Sequence, residues 1–398
     1  MKLPTDQDIS GRDVGRAELK ELKEVLASGM LFSPKGTKVK AFEKAFAEMY
    51  GVPRAVACSS GSAAVHTALK ALHLEPGDEV ITTPITDMGG IAPILYENLV
   101  PVFADIDPRT FNLSAETIKA RMTDRTRAII VVHLFGNPCD MDPIMELARS
   151  RNVKVIEDCA QAFLATYKGR KVGTIGDVGA FSLQQGKHIT CGEGGIVISN
   201  DDNFGRQAFL FVNKGWGYGD PKPDHYFLAL NYRLSELCGA MAFAQLGKLE
   251  KLVSRRLRSV RAFQRMIKAA REGVQWPYVQ RGCQSTYWKY CLLIDEQKLG
   301  KDVGQVAAEL KEAGIASAPR YIQKPAFECE LFTKRRTFGA SGWPWNGPAP
   351  REPKFNPELF PNTYQVLKTI LVLPWSEFYK KEHVDYIAEH LLRATGTR

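Results

Sequence analysis

Between residues 54 and 200, short apolar runs rich in β-branched residues alternate with stretches whose apolar residues recur every three or four positions. The runs are Ala55–Cys58, Glu79–Thr82, Pro101–Ala104, Ala128–Val132, Lys154–Ile156, Gly179–Phe181 and Gly195–Ser199. Each is short enough for a strand, and near-continuous apolar character fits a sheet covered on both faces. Ser62–Leu72, Ala115–Met122 and Asp142–Arg151 carry the helical period between them. Strands alternating with helices predict an α/β domain with a mostly parallel central sheet.

From Leu234 to Glu272 the pattern becomes that of long helices, with Lys and Arg between the apolar positions, which reads as a solvated basic face. Beyond Gly273 the segment Trp276–Asp295 reads as strands, and Lys301–Ala313 and Glu382–Arg393 as helices. This predicts a large domain over residues 1–250, including the N-terminal segment, and a smaller α+β domain over 251–398. Thr333–Pro361, rich in Pro, Gly, Trp and basic residues, shows no period; a loop that long is more often functional than inert.

The 398 residues are 44% apolar and 24% charged, which excludes a disordered or fibrous chain. No apolar run approaches the ~20 residues that span a bilayer, and Met1–Ser10 lacks the pattern of a secretion signal, so a soluble, cytoplasmic protein is expected. The eight cysteines are scattered without zinc-type spacing or a dense disulfide framework, which reads as reduced thiols and no metal. A formal charge of +9 would steer nucleic acid, an anionic surface or a phosphorylated substrate alike. No nucleic-acid-binding motif accompanies it, and neither nucleic acid nor membrane is expected as a partner.

Three segments carry candidate chemistry. In ACSSGSAAVHTAL, beginning at Ala57, a strand runs through Ser60, Gly61 and Ser62 into a helix, whose N-terminal N–H groups can face a phosphate; Ser there also serves as a plain N-cap. His66 reads as a packed helical residue. In VIEDCAQ, Val155–Gln161, a strand ends in Glu157 and Asp158, at the rim where α/β proteins bind ligands. A solvated strand end is the simpler reading of that pair alone, and one Asp–Glu pair does not define a magnesium site. In GDVGAFSLQQGKHITCGEGG, Gly176–Gly195, Lys187 sits between a strand end and a glycine turn, where desolvation would lower its pKa and make the amine a nucleophile toward carbonyls.

The order of these segments resembles the DegT/DnrJ/EryC1/StrS family of sugar and cyclitol aminotransferases, pyridoxal-phosphate (PLP) enzymes of fold type I, the aspartate aminotransferase-like fold. The resemblance extends from GTKVKAFEKAFAEMY (Gly36–Tyr50) through HLFGNPCDMDPI (His133–Ile144), EDCAQAF (Glu157–Phe163) and NYRLSELCGAMAFAQLGKL (Asn231–Leu249) to LVLPW (Leu371–Trp375). It implies that Lys187 bonds covalently to pyridoxal 5'-phosphate and later shuttles the substrate proton, with pyridoxamine 5'-phosphate formed between the half-reactions. It implies that Asp158 pairs with the ring nitrogen, that Gln161 bonds the ring hydroxyl, and that Ser60, Gly61, Ser62 and Ser182 form the phosphate site. Asn231 matches a residue that reaches the neighbouring subunit's cofactor, which implies a homodimer with shared active sites.

One segment departs from the family pattern. Where an aromatic residue usually stacks on the cofactor ring, TTPITDMGG (Thr82–Gly90) places Asp87 and Met88. Met88 is read as the replacement, since a thioether packs on ring faces; Asp87 either contacts a polar substrate or caps the next helix. His188, Arg320 and Tyr321 are further substrate candidates, and Lys334-Arg335-Arg336 with Trp343-Pro344-Trp345 would suit a phosphorylated or nucleotide-linked substrate. The resemblance implies amino transfer from glutamate or glutamine to a keto sugar, sugar nucleotide or keto-cyclitol. Two alternatives stand beside it. In a PLP-dependent sugar dehydratase of the same family, histidine replaces the lysine, so Lys187 argues against it while His188 keeps it open. A non-catalytic regulatory protein of the same fold would lack Lys187 or Asp158.

Overall fold

The computed structural model describes residues 1–270, 272–346 and 355–396. Strands β1 (Arg54–Cys58), β2 (Glu79–Thr82), β3 (Val100–Phe103), β4 (Thr126–Val132) and β5 (Lys154–Asp158) precede a two-residue hairpin, β6 (Thr166–Tyr167) and β7 (Arg170–Lys171). Strands β8 (Val178–Ser182) and β9 (Gly195–Ser199) complete a seven-stranded sheet in the order β1-β9-β8-β5-β4-β2-β3. Its contacts are parallel except those of β9, which runs against both neighbours.

The period-2 rule explains why these strands read as unbroken apolar runs. Ile129, Val131, Val155, Phe181, Ile196 and Ile198 enter one hydrophobic cluster, while Ala128, Ile130, Ile156, Ala180 and Val197 enter another on the opposite face. Helices cover both faces, so neither set meets water. The parallel strands end together at one rim, which gathers Thr82, Asp158 and Ser182.

A second sheet is antiparallel throughout, in the order β10 (Val274–Gln275), β11 (Lys289–Ile294), β13 (Ile370–Pro374), β12 (Ala318–Pro319). The strand expectation for Trp276–Asp295 therefore holds only at its end, and Tyr287 within it takes a positive φ of 46°. Val303–Glu312 and Lys381–Ala394 are helical, close to the expected limits.

The helix Leu249–Met266 serves both sheets. Leu249, Leu252 and Val253 pack in the large-sheet core, and Val260 and Phe263 in the core of the small sheet. Lys251, Arg258, Arg261 and Arg265 are exposed, as the basic-face reading expects, but Arg256 is a correction to it. Its guanidinium is buried, donating to the carbonyls of Tyr287, Trp288 and Trp375 and to the Glu377 carboxylate.

Two carboxylates organise the N-terminal helices. Glu236 accepts from the N–H groups of Thr37, Lys38 and Val39 at 2.7–3.0 Å, supplying from a distant helix the cap that Lys38–Tyr50 lacks. Glu43 lies against β1 and accepts from Ala57 N at 2.8 Å. Burial outweighs that bond and pushes the Glu43 carboxyl up to about 7. The folded state therefore holds this proton where the unfolded chain, with a pKa of about 4.3, has released it. The contribution is full at pH 4 and is lost as pH rises through 7. Glu43→Gln keeps the acceptor and removes the titration. Urea unfolding should find it more stable than wild type by about 1–3 kcal/mol at pH 8 and equal to it at pH 4; equal stabilities at both would exclude this account.

Candidate active site

Strand β5 carries alternate carboxylates to different tasks. Glu157 points inward. Its oxygens accept from the N–H groups of Gly173, Ile175 and Gly176 at 2.7–2.8 Å and meet His133 Nε2 at 2.9 Å. Cys139 N donates to His133 Nδ1, so Nε2 carries the proton given to Glu157. Glu157, His133 and Cys159 converge as metal ligands would. The Glu157 oxygens and His133 Nδ1 are already engaged, however, and burial keeps the Cys159 thiol protonated. Glu157 is thus a structural knot and not half of a magnesium pair.

Asp158 is buried but receives only the Ala160 N–H, at 3.0 Å, and among the described residues no cation lies in salt-bridge contact with it. Burial pushes its carboxyl up, against that bond and the more distant charges of Lys187 and His133. A buried carboxylate without a direct counter-charge fits a cationic ring nitrogen, which would restore its ordinary ionisation. Beside it, Gln161 Oε1 accepts from Phe135 N at 2.7 Å, which leaves the amide NH₂ to donate. The Tyr321 ring lies 4.9 Å from that of Phe135, and burial pushes the Tyr321 phenol up.

Ser60 caps the helix Gly61–Lys70 by accepting from Ala63 N at 3.0 Å. Gly61 lies so close to Ser182 that a Cβ on it would stand 2.6 Å from the serine Cβ, and one on Gly89 would collide with Ser62 Oγ. Two glycines thus let a serine-lined turn, a helix N-terminus and the end of β8 meet, a cradle suited to a phosphate. His66, as expected, is packed, between Tyr232 and Glu97.

Lys187 is half-buried, with its ammonium 4.5 Å from the centre of the Trp288 ring. Burial pulls its pKa down; Asp158 and Asp87 oppose and Lys289 adds to the fall. Its peptide is clamped. Buried Arg12 donates to the Lys187 carbonyl at 2.7 Å and to the Gln185 carbonyl, and Trp288 Nε1 donates to the Gly186 carbonyl at 2.6 Å. Arg12 and Trp288 escaped the sequence reading because each works through backbone carbonyls, which leave no motif.

The other candidates divide. Asp87 accepts from Gly89 N at 2.8 Å, capping the turn Met88–Gly90, and its charge also reaches Lys187, Asp158 and Tyr321. Met88 is partly buried against a cluster containing Ile91, Phe103 and Phe327. Asn231 is exposed, and its segment is laid beside this chain's own β1 by the bond from Ser59 N to Tyr232 O. Arg320 is exposed.

His188 corrects the expectation of a substrate contact: it is buried, its Nε2 faces the Thr286 carbonyl at 3.3 Å, and burial holds it neutral. Lys334 and Arg336 both pair with Glu330, while Trp345 is buried against Phe332. This part of Thr333–Pro361 is pinned to the body of the protein; residues 347–354 of that stretch lie outside the described residues.

The model of the DegT/DnrJ/EryC1/StrS aminotransferase family matches residues 12–392. The chain belongs to this family. The GDP-perosamine synthase of Caulobacter vibrioides is 39% identical over 286 residues, 71% of this chain and 76% of that protein. The spore coat polysaccharide biosynthesis protein SpsC of Bacillus subtilis is 32% identical over 391 residues, 94% of each chain. The solved aminotransferase from Psychrobacter cryohalolentis superposes with a TM-score of 0.84 at 29% identity, covering 96% of this chain and 97% of that one. As a member of the DegT/DnrJ/EryC1/StrS family this chain is an aminotransferase of the sugar-directed type, and membership implies pyridoxal phosphate. Among the described residues no helix is long and apolar enough to cross a membrane.

Proposed function

We infer that this enzyme moves an amino group from glutamate or glutamine to the keto group of a nucleotide-linked sugar, with pyridoxal phosphate held at the rim of the large sheet. The observation that carries the reading is a partly buried Lys187 amine on the turn after β8, near a buried Asp158 at the end of the neighbouring β5 that no cation of the described residues contacts in a salt bridge. When bound, pyridoxal phosphate supplies the electron sink for the carbon that loses its proton. Lys187 provides the amine that holds the cofactor and then moves the proton between substrate and cofactor carbons, work suited to a lysine whose pKa is pulled toward neutrality. Asp158 holds positive charge at the ring nitrogen, Gln161 donates to the ring oxygen, and Ser60, Gly61, Ser62 and Ser182 bind the phosphate.

Met88 closes the ring site from the side of Phe327, while Asp87 and Tyr321 face the substrate. On this reading residues 1–250 carry the cofactor and 251–398 form the smaller domain. Asn231 serves the partner subunit's site in a homodimer, for which exposed Tyr226, Leu228 and Leu230 on the same segment offer an apolar contact. The relatives named GDP-perosamine synthase favour a GDP-linked keto sugar as acceptor. The positive charge then attracts a small anionic substrate, with neither nucleic acid nor membrane as partner and the cytoplasm as the place of action.

Absorbance of the purified protein with pyridoxal phosphate tests the reading. Glutamate or glutamine should convert the bound-cofactor band to the pyridoxamine phosphate band, and a GDP-linked keto sugar should restore it. Failure to form any cofactor band would overturn the assignment.

A further inference from the structure

Trp288 has a second cation on its ring. The Lys289 ammonium lies 4.5 Å from the indole centre, the same distance as that of Lys187, and 5.8 Å from the ring of Tyr321. Lys289 is half-buried, and no carboxylate of the described residues lies within salt-bridge distance of it. It lines a cavity of about 510 Å³ together with Asp6, Arg12, Gly186, Trp288 and Trp375. Gly186 immediately precedes Lys187, so one wall of this cavity is the turn that carries the reactive amine.

The two arginines of this wall are buried and engaged, and its other lysine, Lys2, is exposed. Arg12 donates to the carbonyls of Asp6, Gln185 and Lys187, and Arg256 to three carbonyls and Glu377. Lys289 is the partly buried lysine of this wall, and no hydrogen bond from its ammonium to a described residue is formed. A partly desolvated ammonium without a counter-ion costs free energy, and an oxyanion entering the site recovers it.

We propose that Lys289 is the docking cation for the α-carboxylate of the amino-acid donor. This rests on the aminotransferase reading above. The donor's nitrogen must take the place of the Lys187 nitrogen, and its α-carboxylate is only two bonds away, so the carboxylate needs a cation beside Lys187. Lys289 meets that need because Trp288 is common to both ammonium groups. A point-charge ammonium suits a single carboxylate, whereas paired phosphates are more often met by the guanidinium fork. Trp288 fixes the register: its N–H on the Gly186 carbonyl ties the Lys187 turn to the residue next to Lys289.

The test uses the holoenzyme and its Lys289→Met and Lys289→Arg variants. Binding of glutarate, a carboxylate probe that cannot react, is read by quenching of tryptophan fluorescence. The donor half-reaction is read by conversion of the bound-cofactor absorbance with glutamate. Loss of one charge-assisted hydrogen bond predicts that Lys289→Met weakens glutarate and glutamate binding by about 10- to 100-fold. Lys289→Arg should recover most of that loss, and the KM for the GDP-linked keto sugar should stay unchanged in both.

Unchanged glutamate affinity in Lys289→Met would overturn the proposal. A rise confined to the keto-sugar KM would overturn it too, assigning the ammonium to the sugar diphosphate instead. A wild-type protein that forms no cofactor band would instead sink the aminotransferase reading itself, and is seen before any variant is made.

Discussion

Lys187→Ala should fold, melt within a few degrees of wild type, and lose turnover by about 10⁴-fold, the upper end of what a positioned acid–base group contributes. The fold is expected to survive because the Lys187 peptide, not its ammonium, carries the local structure: Arg12 and Trp288 bind carbonyls that alanine retains. The variant should still take up pyridoxal phosphate non-covalently, through the serine-lined cradle. It should lose the lysine adduct that borohydride traps in wild type. Mass spectrometry of the reduced protein gives the adduct and a coupled assay gives the turnover. Retained transamination would remove Lys187 from the centre of the chemistry.

Asp158→Ala should separate attachment from reaction. The borohydride-trapped adduct on Lys187 should persist, since Asp158 does not touch the atoms that form that bond, while turnover should fall by about 10²- to 10³-fold. That range corresponds to about 3–4 kcal/mol, the lower part of what breaking a buried charge pair by removing one partner costs. The cofactor-free variant has an opposite expectation. Without a ring nitrogen to pair with, the buried carboxyl is a desolvation cost, visible as its upward pKa shift. Its removal should leave the melting temperature of the cofactor-free protein unchanged or raised. Unchanged turnover would mean that the strand-end carboxylate has another role.

The large sheet was legible because burial on both faces writes itself into composition. All seven strands lie where apolar runs stand in the sequence, displaced by no more than two residues. The backbone of the site was legible through the short segments around Ser60, Asp158 and Lys187, since strand ends and glycine turns leave local marks. Long-range polar contacts leave none. Nothing in the sequence near Arg12 points to the carbonyl of Lys187, 175 residues away, and Arg256 looked like one more basic residue on a solvated helix face. His188 failed as a substrate contact for a related reason: neighbours in sequence along this turn face opposite ways, Lys187 toward Trp288 and His188 toward Thr286.

The helix Leu249–Met266 also has a consequence for the order in which the chain can fold as the ribosome releases it. The large-sheet core draws on residues from Val39 to Val253, so its last knobs arrive on the first turns of this helix. Val260 and Phe263, farther along, have no core to enter until Tyr290 and Leu371 have been synthesised. A nascent chain can therefore complete the first core and leave the far half of the helix as a projecting template. The small sheet then assembles on it, as units that fold from the N-terminus onward do.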